Sequence, residues 1–188
     1  MLREGERTMH IKLDDTIALM IDFQEKLVPA INNHEQIVQK TVQLLSGLKT
    51  LGCPVLFSQQ YTKGLGMTVP KIMETQENFQ YIDKLTYSCL DTEEIKMALD
   101  KAGKKTVILA GMETHICVMQ TARDLLANGY NVYLIADCVG SRTEFNYQIG
   151  MERMKQEGVT ISSVESVLFE LLEKAGTPEF KVISKLIK

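Results

Sequence analysis

Thr16-Ile17-Ala18-Leu19-Met20-Ile21-Asp22 is a near-continuous apolar run that closes on an acid. A run that is apolar at almost every position reads as a strand covered on both faces, as in a parallel sheet. Longer amphipathic stretches separate further runs of this kind. Residues 33–51 carry Ile37, Val38, Val42, Leu44, Leu45, Leu48 and Leu51 at helical spacing, and Gly52 follows as the stop. The pattern predicts further strands over 54–58, 81–84 (a weaker signal), 106–111, 131–136 and 159–161. Helices are predicted over 91–102, with Asp91 or Thr92 as N-cap, and over 115–128, 143–157 and 164–174. Residues 64–70 read as an irregular loop. Strands alternating with helices in this way specify an α/β architecture, a parallel sheet with helices on both faces.

The 188 residues suit one domain, and 45% apolar with 24% charged residues is ordinary for a globular chain. Residues 1–12 read as a flexible leader with Met9 as a second candidate start, 13–175 as the folded domain and 176–188 as a tail. The leader begins Met1-Leu2-Arg3-Glu4-Gly5-Glu6-Arg7, polar and of mixed charge, unlike a signal peptide. A cytoplasmic protein is expected. The net charge of −3, with both signs dispersed, gives no reason to expect nucleic acid or an acidic membrane surface. No apolar run approaches the roughly 18 residues a bilayer span needs. The four cysteines, at 53, 89, 117 and 138, form no C-x-x-C pair. In a reducing compartment their even number does not by itself imply disulfides.

In parallel sheets ligands sit beyond the carboxyl ends of the strands, where the strand order reverses. The first predicted strand ends at Asp22 and the third runs into Lys84. The fourth empties into Gly111-Met112-Glu113-Thr114-His115-Ile116-Cys117. With Thr114 as N-cap, Cys117 falls in the first turn of a helix, where free N–H groups and the dipole favour thiolate over thiol. A nearby Lys84 acts in the same direction. Asp22 can take the thiol proton and later activate water. Cys53, Cys89 and Cys138 read as structural. Asp137 and Arg142, in the loop after the fifth strand, read as a structural pair.

Three pieces carry a family resemblance: Ala18-Leu19-Met20-Ile21-Asp22-Phe23-Gln24, Lys84-Leu85-Thr86-Tyr87-Ser88 and Leu109-Ala110-Gly111-Met112-Glu113-Thr114-His115-Ile116-Cys117-Val118. In this order they resemble the isochorismatase-like cysteine hydrolases over about Asp14 to Leu172. The Glu113-Thr114-His115 variant is similar to the isochorismatase domain-containing subgroup. The resemblance implies a three-layer α/β/α fold, its six-stranded parallel sheet in the order 3-2-1-4-5-6. It implies a catalytic triad of Asp22, Lys84 and Cys117. It also implies a cis peptide at Met112–Glu113 that turns the Glu113 and Cys117 N–H groups into an oxyanion hole. Relatives assemble as oligomers, so a homo-oligomer is expected, with the apolar tail residues Phe180, Val182, Ile183, Leu186 and Ile187 as a candidate arm.

Nicotinamidases of this superfamily hold a metal through Asp-x-His after the second strand. Here the stretch is Ser58-Gln59-Gln60-Tyr61, so neither metal nor cofactor is expected. Superfamily members that cleave an enol ether lack the nucleophilic cysteine. A thiol at 117 instead points to attack on a small amide, imide or ester through a thioester. Phe23, Tyr61, Tyr87 and His115 are candidate substrate contacts, with Leu27 near them. Two other classes fit the same residues: a thiol redox sensor, with Cys89 or Cys138 as resolving thiol, and a non-catalytic binding protein.

Overall fold

The computed structural model describes residues 10–188. The elements are β1 (Thr16–Ile21), α1 (His34–Leu51), β2 (Val55–Gln60), α2 (Thr62–Leu65), α3 (Pro70–Met73), β3 (Ile82–Lys84), α4 (Glu93–Ala102), β4 (Thr106–Met112), α5 (Met119–Ala127), β5 (Asn131–Gly140), α6 (Glu144–Gln156), β6 (Thr160–Ser162), α7 (Val164–Leu172) and α8 (Pro178–Leu186). A π-helical turn, Thr114–Val118, leads into α5. The six strands form one parallel sheet in the order β3-β2-β1-β4-β5-β6, as the resemblance implied.

Why β1 is apolar almost throughout follows from its place at the centre. Ala18 and Met20 pack with α1, α7 and α8 on one face, whereas Ile17, Leu19 and Ile21 pack with α4, α5 and α6 on the other. All six of its residues are buried. The strand order reverses between β1 and β4, and their register runs to Ile21 opposite Gly111. Asp22 and the segment carrying Cys117 therefore leave the sheet side by side.

Gly111 is what lets the two strands close there. It has φ +143, and a Cβ built on it would lie 2.3 Å from the Ile21 carbonyl oxygen. Backbone cannot yield as a flexible side chain can. Gly111→Ala is expected to cost at least about 2 kcal/mol of stability, read as a lowered urea midpoint. An unchanged midpoint would contradict this packing.

The structure departs from the sequence reading in four places. Strand β5 runs on to Gly140, because Asp137 does not end it; its Oδ1 accepts the Val164 N–H at the start of α7, 3.0 Å away. Residues 62–73 hold α2 and α3 rather than one irregular loop, pinned by the Gln24–Thr68 bridge and by Glu25, whose Oε2 accepts the Met67 N–H. The leader reading, Met9 included, lies outside the described residues up to 9, but from residue 11 the chain is engaged. Ile11 is buried, and Lys12 donates to Glu173 at 2.7 Å. The tail beyond 175 is not separate from the domain: α8 lies against α1 with Ile183 fully buried and Gln43 Nε2 donating to Leu186 O. Apolar Phe180, Ile183 and Ile187 recur at helical spacing, and Phe180 meets Phe169 edge-on.

Candidate active site

Asp22 follows β1 in the left-handed region, φ 56, which Asp and Asn adopt more readily than other residues with a side chain. Its N–H donates to Ser58 O. The carboxylate is fully buried and receives two donors: Lys84 Nζ donates to Oδ2 at 2.8 Å and Ser58 Oγ donates to Oδ1 at 2.9 Å. The Cys117 thiol lies close enough to interact with it electrostatically. Lys84 arrives from the edge strand β3 yet is buried, because its ammonium has oxygen acceptors on every side. Besides Asp22 these are Gln60 Oε1 at 2.6 Å, Thr86 O at 3.2 Å and Tyr87 O at 3.3 Å. The structure thus brings Asp22, Lys84 and Cys117 into one cluster at the β1/β4 reversal.

Electrostatics in the cluster correct one expectation. Cys117 is not a thiolate at rest: burial, then the Asp22 charge, push its thiol up to about 12, and Lys84 only partly opposes them. The expected helix start also shifts. Ile116 and Val118 donate to Glu113 O, so the turn begins at Glu113 rather than at a Thr114 cap, and it is π-helical. Burial pushes the Asp22 carboxyl above the usual carboxylate range, with Lys84, Ser58 and Cys117 pulling against it. A buried carboxylate with raised proton affinity is a better base toward a neighbouring thiol. Burial would lower the Lys84 ammonium, but Asp22, Cys117 and Cys89 outweigh it and keep the charge on.

The other thiols are raised as well, Cys53 and Cys89 to about 11 and Cys138 further, all chiefly by burial. Native thiols hold protons that an unfolded chain releases near 9, so stability falls as pH rises from about 9 towards 12. A lower urea midpoint at pH 10.5 than at pH 8 is expected. Equal midpoints would contradict the buried, neutral thiols.

The remaining sequence-chosen residues divide. Met112–Glu113 is a cis peptide. The Glu113 side chain takes Arg142, through the Arg142 N–H at 3.0 Å and its Nε at 3.1 Å, so Arg142 does not pair with Asp137. His115 Nδ1 meets Ser141 Oγ at 2.9 Å. Tyr61 and Tyr87 are half exposed beside Lys84, the Tyr61 N–H donating to Lys84 O. Phe23 is a correction: its ring is 1% exposed among the core side chains on the α1 face, opposite the face that holds Cys117. Leu27 packs against that same core.

Sequence reasoning passed over Ser58, Gln60 and Gln24. Ser58 and Gln60 stand two apart on β2 and so share a face, and both address the cluster. A period-two reading carried past residue 58 would have found them.

The isochorismatase domain family model matches residues 16–166. The secreted isochorismatase effector Isc1 of Phytophthora sojae is 38% identical over 92% of this chain and 84% of its own length. Isochorismatase domain-containing protein 1 of Salmo salar is 36% identical, and the chain spans 61% of its length. Among solved structures, the MAR1 ribonuclease of Caenorhabditis elegans superposes with a TM-score of 0.89 at 32% identity, covering 95% of this chain and 92% of that one. The octameric hydrolase YcaC of Escherichia coli shares the fold, TM-score 0.89 at 21% identity, over 96% of this chain and 92% of its own. A hydrolase domain built on a three-layer α/β/α parallel sheet is what fold and matches together define. The chain belongs to the isochorismatase family of hydrolases.

Proposed function

We propose that the protein hydrolyses a small amide, imide or ester through a thioester on Cys117. The observation that carries this reading is the buried cluster in which a neutral thiol, a carboxylate of raised proton affinity and a fully coordinated ammonium meet. As Sγ bonds to the substrate carbonyl carbon, the thiol proton passes to Asp22. The carbonyl electron pair moves onto oxygen, which the Glu113 and Cys117 N–H groups receive. Asp22 returns the proton to the leaving nitrogen or oxygen as that bond breaks. Water then attacks the thioester with Asp22 again as base, and the thiol re-forms as the acid departs. Lys84 stays charged throughout and offsets the negative charge that builds on sulfur. Tyr61, Tyr87 and His115 are the proposed substrate contacts that remain once Phe23 is assigned to the core.

Ser58, Gln59 and Gln60 are occupied with Asp22, with Thr68 and Thr62, and with Lys84 respectively. The reading therefore assigns the reaction to side chains and water, without metal or cofactor. Ribonuclease activity, which one neighbour carries in its name, is not part of this reading: binding RNA calls for cations arrayed against phosphates, and this chain's charges are dispersed with a net −3. Among the described residues no helix is long and apolar enough to cross a membrane. Location in the cytoplasm and self-association are part of the proposal; export of the chain, or a one-protomer mass by light scattering, would each remove its part. The test of the activity is a screen of small amides, imides and esters against the native chain and Cys117→Ala. Turnover equal in both would end the reading.

A redox role has one specific observation behind it. Cys89 lies with Cys117 on the α4–α5–α6 face, its Sγ 3.7 Å from Ser58 Oγ, whereas Cys138 lies on the opposite face. Peroxide would oxidise the Cys117 thiol to a sulfenic acid, and a second thiol would displace water to form a disulfide. Any such disulfide should be Cys89–Cys117. Mapping one to Cys138 would contradict the core as described.

A further inference from the structure

We propose that Gln60 is a positioning residue of this site: its side-chain oxygen fixes where the Lys84 ammonium stands, and so the charge that the Cys117 sulfur meets. The inference rests on the cysteine-hydrolase reading and adds to it a member that touches no substrate.

Four observations carry it. The shortest contact of Lys84 Nζ is to Gln60 Oε1, at 2.6 Å, closer than the 2.8 Å to Asp22 Oδ2. The other end of the amide is also engaged, Gln60 Nε2 donating to Leu85 O at 3.1 Å, which sets the oxygen towards lysine. The Gln60 backbone is held from both sides by the buried Gln24. Gln60 N–H donates to Gln24 Oε1 at 2.7 Å, and Gln24 Nε2 donates to Gln60 O at 3.0 Å and to Gly66 O at 2.8 Å. Finally, Gln60 and Lys84 are register partners on β2 and β3, so the contact is part of the sheet edge itself.

The chemistry explains why an amide suits this position. An ammonium has three hydrogens and will swing towards whichever acceptors are best. A neutral oxygen holds it without cancelling its charge. A carboxylate in the same place would compete with Asp22 for Lys84 and add negative charge beside a thiol that must ionise. Cys117 is faced by Asp22 from the end of β1, Lys84 from β3 and Cys89 from the turn before α4, with His115 and the Glu113–Arg142 pair nearby on its own turn and the loop after β5. Arg142 is engaged by Glu113, which leaves Lys84 as the cation that favours thiolate.

The test uses iodoacetamide on the full chain and follows alkylation of Cys117 by peptide mass spectrometry across pH 6–10, alongside thermal unfolding. In Gln60→Met, which keeps length and bulk but loses the acceptor, alkylation at pH 8 should slow by about tenfold. In Gln60→Glu the rate–pH curve should move up by about one pH unit or more. Both variants are read as long as they still melt cooperatively above the assay temperature; Gln60→Glu, nearly isosteric, keeps the test alive if the methionine variant unfolds. A purely structural Gln60 would shift melting and leave the curves superimposed on the native one. That result in either folded variant overturns the proposal. Native protein that fails to alkylate at Cys117 at all would instead sink the nucleophile reading beneath it, so the two failures are distinguishable.

Discussion

Cys117→Ala should hydrolyse the best substrate from the screen at least about ten-thousand-fold more slowly than the native chain, because covalent catalysis has no substitute once its nucleophile is gone. The fold should survive. The substitution removes one sulfur from a buried position and leaves Lys84 still paired with Asp22 at 2.8 Å, so no charge is orphaned. A stability loss of no more than about 1–2 kcal/mol is expected. Substrate binding should also persist in this variant, since the proposed contacts at Tyr61, Tyr87 and His115 are untouched. The measurement is turnover under single-turnover and steady-state conditions, with urea unfolding alongside. A stable Cys117→Ala chain retaining a tenth of native turnover would place the chemistry elsewhere.

Asp22→Asn should be nearly as costly to turnover and much more costly to stability, and it should do something unexpected to the thiol. Asparagine tolerates the left-handed φ of 56 that Asp22 adopts, so the backbone gives no reason for loss. What is lost is the counter-charge of a fully buried ammonium. Breaking such a pair by removing one partner typically costs about 3–5 kcal/mol. Removing the base should slow turnover by about 100- to 10,000-fold. Yet the Asp22 charge is one of the influences that hold the Cys117 proton on, whereas Lys84 favours its release. With Asp22 neutral, the alkylation curve of Cys117 should move to lower pH. More thiolate with less catalysis would separate Asp22 as a base from any role as mere anchor. A curve that moves up, or turnover that stays, would contradict the assignment.

How far the sequence could be read depends on what each feature obeys. Strand β1 was legible because a central parallel strand must be apolar on both faces, and the helix over 33–51 because Gly52 stops it, at φ +73. The end of β5 was not legible, since Asp137 looks like a terminator until its bond to the Val164 N–H is seen. In the site, Asp22, Lys84 and Cys117 each lie where a strand ends and were found by position and motif. The state of the thiol was not found, because a helix start is a local property whereas burial is a tertiary one, and here burial dominates. Phe23 was misread for a similar reason: adjacent in sequence to Asp22, it turns to the other face of the sheet. Gln60 was overlooked because glutamine carries no charge and its meaning comes wholly from the Lys84 it touches.

The most direct test of the whole account is peptide mapping after limiting iodoacetamide at neutral pH. Cys53 and Cys117 are each 6% exposed, and the other two cysteines are fully buried. Burial holds both thiols well up, Cys53 at about 11 and Cys117 at about 12, so resting acidity gives Cys117 no advantage. If Asp22 takes the proton as sulfur reacts, Cys117 is nonetheless labelled first, and that preference disappears when Asp22 is made asparagine and the reaction is compared at matched thiolate. Label appearing first on Cys53 would show that the carboxylate beside Cys117 does not assist its sulfur.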